Sequence, residues 1–280
     1  MTTLTGGICL VTGTTSGLGR ATAVELAKLG ATVVVAARDK TKGEAAVAEI
    51  KRASGNPNLD LLVCDLSLQA STRAAAEEFQ RRYERLNVLI SNAAVFVGKR
   101  TLTQDGLELM FATNHLGPFL LTLLLLERLE TGAPARVINV SAPSTVKPDF
   151  DDLQGERKFS STQAFGASKA GNLLFTYALA RRLQGRGVSV NAYHPGIVRT
   201  GLMRQAPAPM RLFTGILNIF GQTPERAAEG LVQLASSNQF EDITGQLIHN
   251  GQVLSSPFSS DTAAQERLWS ESARLVGLEG

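Results

Sequence analysis

Apolar, β-branched runs alternate along this chain with stretches whose apolar residues recur at helical spacing. The runs Ile8–Thr12, Thr32–Ala36, Leu59–Cys64, Val88–Ser91, Arg136–Ser141 and Val188–Tyr193 predict strands, with a last short one at Gly245–His249. Between them the spacing predicts helices over Gly17–Leu29, Thr41–Ala53, Ser71–Arg85, within Thr103–Leu129, over Thr162–Gln184 and over Pro224–Ser236. The strands are apolar throughout rather than alternating, which is the mark of a parallel sheet covered on both faces. Strand–helix–strand crossovers in such sheets are right-handed. The expected architecture is α/β: a Rossmann-type, doubly wound parallel sheet of about seven strands, order 3-2-1-4-5-6-7, with helices on both faces. Ligands of such sheets bind beyond the carboxyl ends of the strands. No linker-like tract, internal repeat or low-complexity segment interrupts the pattern, so residues 1–280 read as a single domain.

Composition narrows the function classes. Hydrophobic residues make up 44% of the chain and charged residues 19%, which suits a globular protein with a large core. The net charge is only +3, and the basic pairs Lys51-Arg52, Arg81-Arg82 and Arg181-Arg182 look like solvated helix faces, so nucleic acid is not an expected partner. Cys9 and Cys64 fall within or at the end of strand-like runs and read as buried structural thiols. His115, His194 and His249 are scattered, and no metal site is expected. The amino terminus lacks a basic start followed by an apolar stretch, and Phe119–Leu126 is far short of the ~20 residues of a membrane span. A cytoplasmic, reducing compartment is the expectation.

The chemistry begins at Thr12-Gly13-Thr14-Thr15-Ser16-Gly17-Leu18-Gly19, which leaves the first strand and opens the first helix. Gly13 permits the tight turn, Gly17 lets backbone approach a pyrophosphate, and Gly19 allows close helix packing. Thr15, Ser16 and Leu18 complete the phosphate-binding turn at the helix N-terminus, where free N–H groups and the dipole favour anions. The second strand ends Ala36-Ala37-Arg38, with Ala37 where an NAD-selecting carboxylate would hold a ribose 2′-OH. A guanidinium at Arg38 instead suits a 2′-phosphate, so NADP(H) is expected over NAD(H), although Asp39 follows immediately.

With that turn, the rest of the chain resembles the short-chain dehydrogenase/reductase family over nearly its whole length. Asn92-Ala93-Ala94 after the fourth strand is similar to the family's Asn-Asn-Ala-Gly segment, with Ser91 in place of the first Asn. The resemblance makes Asp65, followed by Leu66, the adenine-side residue, and makes Asn114 in Thr113-Asn114-His115-Leu116-Gly117 the Asn that orders a proton-relay water. It makes Pro195, Gly196, Val198 and Thr200 the loop beside the nicotinamide. Leu153-Gln154-Gly155-Glu156, Ala170-Gly171-Asn172-Leu173-Leu174-Phe175 and the tail Arg267-Leu268-Trp269 through Leu278 resemble the retinol-dehydrogenase-like branch.

Two positions depart from the pattern. The family's reaction uses a Tyr and a Lys four residues apart on one helix face, with a Ser on the preceding strand. Lys169 is present and is expected to hold the nicotinamide ribose, but Phe165 stands at the Tyr position and Ala142 at the Ser position. Ser141 is one residue off, so strand alternation turns it to the opposite face, and Ser144 is the remaining candidate hydroxyl, reaching in from the loop. Both departures delete a hydroxyl and little else. Acid–base help is worth ~10²–10⁴ in rate, so ordinary redox activity is doubtful. Three explanations stay open: an engineered inactive variant of an ordinary NADP-dependent oxidoreductase; a natural relative reusing the pocket for a non-redox cyclisation or elimination, or for hydride transfer with another acid; or a cofactor-binding regulatory protein without catalysis.

The stretch Leu202–Gln222 is apolar after its Pro-rich opening, and the resemblance makes it a lid over a lipophilic substrate, with an interface segment or a weak membrane contact as the alternatives. The Leu120–Leu126 and Thr162–Gln184 segments are apolar on more than one face. In the family such helices pair across a homodimer axis, and core burial explains the same pattern equally well.

Overall fold

A computed structural model describes residues 3–199, 201–202 and 221–278. At the centre of the sheet lies β1 (Ile8–Thr12), paired in parallel with β2 (Thr32–Ala37) on one side and β4 (Val88–Ser91) on the other. β3 (Leu59–Val63) forms one edge beyond β2, while β5 (Ala135–Val140), β6 (Val188–Tyr193) and β7 (Leu247–His249) extend the other side, all parallel. The expected order is therefore found, with one addition. β8 (Gln252–Leu254) runs antiparallel to β7 and completes the order β3-β2-β1-β4-β5-β6-β7-β8. The reversal is made by Asn250 and Gly251, with φ of 47° and 76°, which is the left-handed pair a two-residue hairpin needs.

Alternate residues of the strands feed two apolar layers. Leu10, Val34, Leu89 and Val137 pack with α3 (Gln69–Arg82), α5 (Gly117–Leu124) and α7 (Ser161–Arg182). Cys9, Val11, Val33, Val35 and Ile138 pack with α1 (Gly17–Lys28), α2 (Lys40–Ser54) and α8 (Pro224–Ser236). Each fully buried Leu, Ile or Val contributes ~1.5–3 kcal/mol, so both layers hold the sheet rigid under whatever sits at its ends. Both cysteines are free and buried, and burial pushes their thiols up to about 12. They are inert structural groups.

The helix expected within residues 103–129 is broken into pieces. α4 (Leu109–Phe111) starts on Glu108, whose carboxylate accepts from the N–H groups of Met110 and Phe111 at 3.0 and 2.8 Å. The turn Ala112–Leu116 is π-helical, with Gly117 N–H donating to Ala112 O. The next residue, Pro118, has no N–H to give, so the normal ladder cannot run through this point. α5 and then α6 (Leu126–Thr131) follow.

A helix not anticipated from the sequence, α9 (Thr262–Leu275), lies across α7 and α5. Its buried face is half polar: Gln265, Leu268, Ser272 and Ala273. Ser272 meets the buried His115 ring at 2.9 Å, Trp269 packs on Phe119 and Phe175, and the Arg182 guanidinium lies 3.9 Å above the Trp269 ring. Glu266 pairs with Arg181 and Arg182. Part of the second apolar face of α7 is thus buried against α9. No helix among the described residues is long and apolar enough to cross a membrane.

Candidate active site

A cleft of about 650 Å³ opens at the carboxyl ends of the strands, where the chain passes to opposite sides of β1. At one end lies the glycine turn. Gly13 has φ of 69°, and a Cβ there would stand 2.8 Å from Ala93 Cα. A Cβ on Gly19 would stand 2.3 Å from Gly13 O and 2.5 Å from Asn92 Nδ2. Asn92 explains the crowding: its Nδ2 donates to Thr12 O at 2.9 Å and to Gly13 O at 3.2 Å, clamping the turn. Ala93 N–H and Asn92 N–H both donate to Thr12 Oγ1 at 3.0 Å. Thr15, Ser16, Gly17 and Leu18 line the cleft, and Ser16 opens α1 without a side-chain cap. The first-turn N–H groups of α1 are left for a ligand, and no Cβ blocks the approach.

Ala37 and Arg38 line the cleft at the end of β2, Ala37 buried and Arg38 exposed. The carboxylate of Asp39 caps α2 by accepting from Lys42 N–H at 2.9 Å, so it is committed to the helix. Asp65 and Leu66 line the same end, and Asp65 Oδ1 accepts from the N–H and hydroxyl of Ser67 at 3.0 and 2.7 Å.

The opposite end is apolar. Ala142, Phe165 and Lys169 come together there, with Val95, Phe96, Val97 and Leu202. Phe165 meets Phe96 edge-on at 5.5 Å between centroids. Lys169 Nζ lies 5.5 Å from the Phe165 ring centroid and donates to Val140 O at 3.2 Å. Burial lowers its pKa to about 8. Neither nearby serine offers a hydroxyl: Ser141 Oγ donates to Lys169 O at 2.9 Å, and Ser144 Oγ to Gly166 O at 3.0 Å. Ser144, the loop hydroxyl considered from the sequence, does not line the cleft, because α7 takes its proton.

Asn114 sits in the π-helical turn, buried behind the wall rather than in it. Its Oδ1 accepts from Val95 N–H at 2.8 Å, and its Nδ2 donates to Val95 O and Ser168 Oγ, both at 3.1 Å. It pins the segment after β4 to α7. Pro195, Gly196 and Val198 line the cleft after β6. Gly196 has φ of 71°, Gln222 Nε2 donates to Pro195 O, and Val198 pairs with Gln222 in an isolated bridge. Thr200 and positions 203–220 of the expected lid lie outside the described residues.

Sequence reasoning passed over two lining residues. The Thr113 hydroxyl is buried without a hydrogen-bond partner among the described residues, as is Nδ1 of His194. The His194 ring lies 4.9 Å from His249, and its pKa is lowered by burial first and by that neighbour second. The only sequence signal was adjacency: Thr113 precedes Asn114, and His194 precedes Pro195.

A family model for short chain dehydrogenase matches residues 7–210. The chain belongs to the short-chain dehydrogenase family. Within it, the chain is similar to human retinol dehydrogenase 13, at 40% identity over 99% of this chain and 86% of that protein. It is also similar to human retinol dehydrogenase 12, at 40% identity over 98% and 88%. Among solved short-chain dehydrogenase-like folds, an uncharacterized protein from Mycobacterium paratuberculosis superimposes with a TM-score of 0.80 at 30% identity, covering 99% of this chain and 96% of that one. The Pseudomonas aeruginosa RhlG/NADP complex superimposes at 0.70 with 27% identity, covering 89% and 96%. The short-chain dehydrogenase assignment makes the cleft that of an oxidoreductase of this family with a nicotinamide-type cofactor.

Proposed function

We propose that this chain binds NADP(H) along the Gly13–Gly19 turn and directs the apolar end of the cleft at a lipophilic alcohol or carbonyl compound. Ordinary hydride chemistry is curtailed by Ala142 and Phe165. The observation that carries this reading is at Lys169: its ammonium faces a bare phenyl ring at 5.5 Å, and the hydroxyls of Ser141 and Ser144 are spent on backbone carbonyls. The residues present fit a phosphorylated dinucleotide. First-turn N–H groups of α1 would hold the diphosphate and Arg38 the 2′-phosphate. Asp65 and Leu66 would flank the adenine, Asn92 and Ala93 would keep the turn in shape, and Lys169 would hold the nicotinamide ribose. Pro195, Gly196 and Val198, with Thr200, would back the nicotinamide. When bound, that group supplies or accepts a hydride. At Phe165 and Ala142, where the family keeps its Tyr and Ser, this chain has no hydroxyl to carry the accompanying proton, a loss worth ~10²–10⁴ in rate. The NADP in the RhlG complex and the similarity to the retinol dehydrogenases support the cofactor and the alcohol or aldehyde class.

A second reading, a non-redox cyclisation or elimination, is favoured by one feature: Phe165 is packed edge-on against Phe96 as part of a continuous wall. Mass spectrometry of all-trans-retinal incubated with and without NADPH separates the two. Retinol formed only after Phe165→Tyr and Ala142→Ser are combined supports the first. A product made by the unaltered chain without cofactor consumption supports the second. Turnover of NADPH by the unaltered chain at ordinary enzyme rates overturns both.

A further inference from the structure

We propose that Lys169 is an imine-forming lysine: when the cleft holds no nucleotide, its side-chain amine condenses with an apolar aldehyde seated against Phe96 and Phe165. This goes beyond the nicotinamide reading and does not depend on it.

The contrast with the rest of the chain motivates it. Every other lysine is exposed, whereas Lys169 is only 7% exposed and stands in the cleft wall. Among the described residues its Nζ has a single neutral partner, the Val140 carbonyl oxygen at 3.2 Å, and no carboxylate steadies the charge. The surroundings on the cleft side are Ala142, Phe165 and Phe96, which favour an uncharged amine and an uncharged, apolar guest. Burial holds this amine's pKa at about 8. At pH 8 about half of it is therefore free base, against roughly one in a few hundred for an exposed lysine.

The chemistry balances without a redox partner. The Nζ lone pair attacks the aldehyde carbon and the carbonyl π pair moves to oxygen. Proton transfer from nitrogen to that oxygen gives a neutral carbinolamine. The C–O bond then breaks, C=N forms, and one water leaves. The protons lost from nitrogen leave with that oxygen as water, so no further donor is consumed.

The test uses the full chain freed of nucleotide, decanal as the guest and cyanoborohydride to fix any imine as a secondary amine, at about pH 8. Peptide mass spectrometry then gives the rate of alkylation at each lysine. The expected result is alkylation of Lys169 at least about tenfold faster than the mean of the exposed lysines, a ratio measured within one chain and needing no variant. Lys169→Arg should lose the fast phase while keeping the native circular-dichroism spectrum. Alkylation of Lys169 no faster than that of exposed lysines, or an unchanged fast phase in Lys169→Arg, overturns the proposal.

Discussion

The two ends of the cleft are built on different principles. At the glycine end every contact is backbone-led: Gly19 fits within a space that a single Cβ would close to 2.3 Å, and Asn92 spends its amide on Thr12 and Gly13 carbonyls. At the Phe165 end the wall is side-chain-led, and the polar groups left over, Lys169 Nζ and Thr113 Oγ1, are under-partnered. The first arrangement fixes a shape that tolerates no substitution. The second fixes only apolarity and volume, so its chemistry changes with single atoms. A fold can therefore keep a cofactor site intact while its reactive end drifts.

The strongest way to break this comparison is to add two hydroxyl oxygens. Phe165→Tyr with Ala142→Ser should raise reduction of a lipophilic aldehyde by ~10²–10⁴, measured as NADPH consumption matched to alcohol formed. No gain, despite retained cofactor binding, would mean that the apolar end is specialised beyond its missing hydroxyls.

Next in size is the alkaline stability of Lys169. Its folded pKa, about 8, lies below the unfolded value near 10.5. Between those values the unfolded chain binds more protons, so stability should rise with pH across that window. The rise attributable to this group is on the order of 3 kcal/mol. Chemical denaturation at neutral pH and near pH 10 should show that component in the wild type and lose it in Lys169→Met. Identical slopes in the two proteins would place the amine in contact with water rather than in the apolar wall.

At the glycine end, Arg38→Ala should cost ~1–3 kcal/mol of NADP affinity and leave NAD affinity nearly untouched, as read by calorimetric titration with both nucleotides. An equal loss for both would assign Arg38 to the surface. The smallest effect is expected from Phe96→Leu, which removes the edge-on partner of Phe165. It should cost ~0.5–1.5 kcal/mol of stability and leave nucleotide affinity alone. A drop in nucleotide affinity would show that the two ends are mechanically coupled.

The same contrast governs what could be read from the sequence. The glycine turn was legible because strand, turn and helix are contiguous and each Gly has a local reason. Asp39 looked ambiguous beside Arg38 until its carboxylate was found on Lys42 N–H, a cap that the spacing already permits. The hairpin into β8 was signalled by Asn250-Gly251 but lay hidden because Gln252 and Val253 are exposed and form no apolar run. α9 escaped notice because Gln265 and Ser272 occupy its buried face and satisfy partners elsewhere in the chain. The π-helical turn needs knowledge of what Pro118 withholds, and the orphaned Thr113 hydroxyl only exists once α7 has packed against it. Long-range satisfaction of polar groups, unlike apolar periodicity, leaves no mark along the chain.

The placement of α9 has a consequence for biosynthesis. Gln69 and Arg73 of α3 donate to the carbonyls of Leu275 and Val276, so the end of α9 is tied to an element made much earlier. From Arg182, where α7 ends, to Leu275 the ribosome needs on the order of ten seconds. Throughout that interval Phe119, Phe175 and the His115 ring lack their contacts with Trp269 and Ser272. A stop codon that removes only α9 would leave every cleft residue encoded, yet would turn a folding intermediate into the final product.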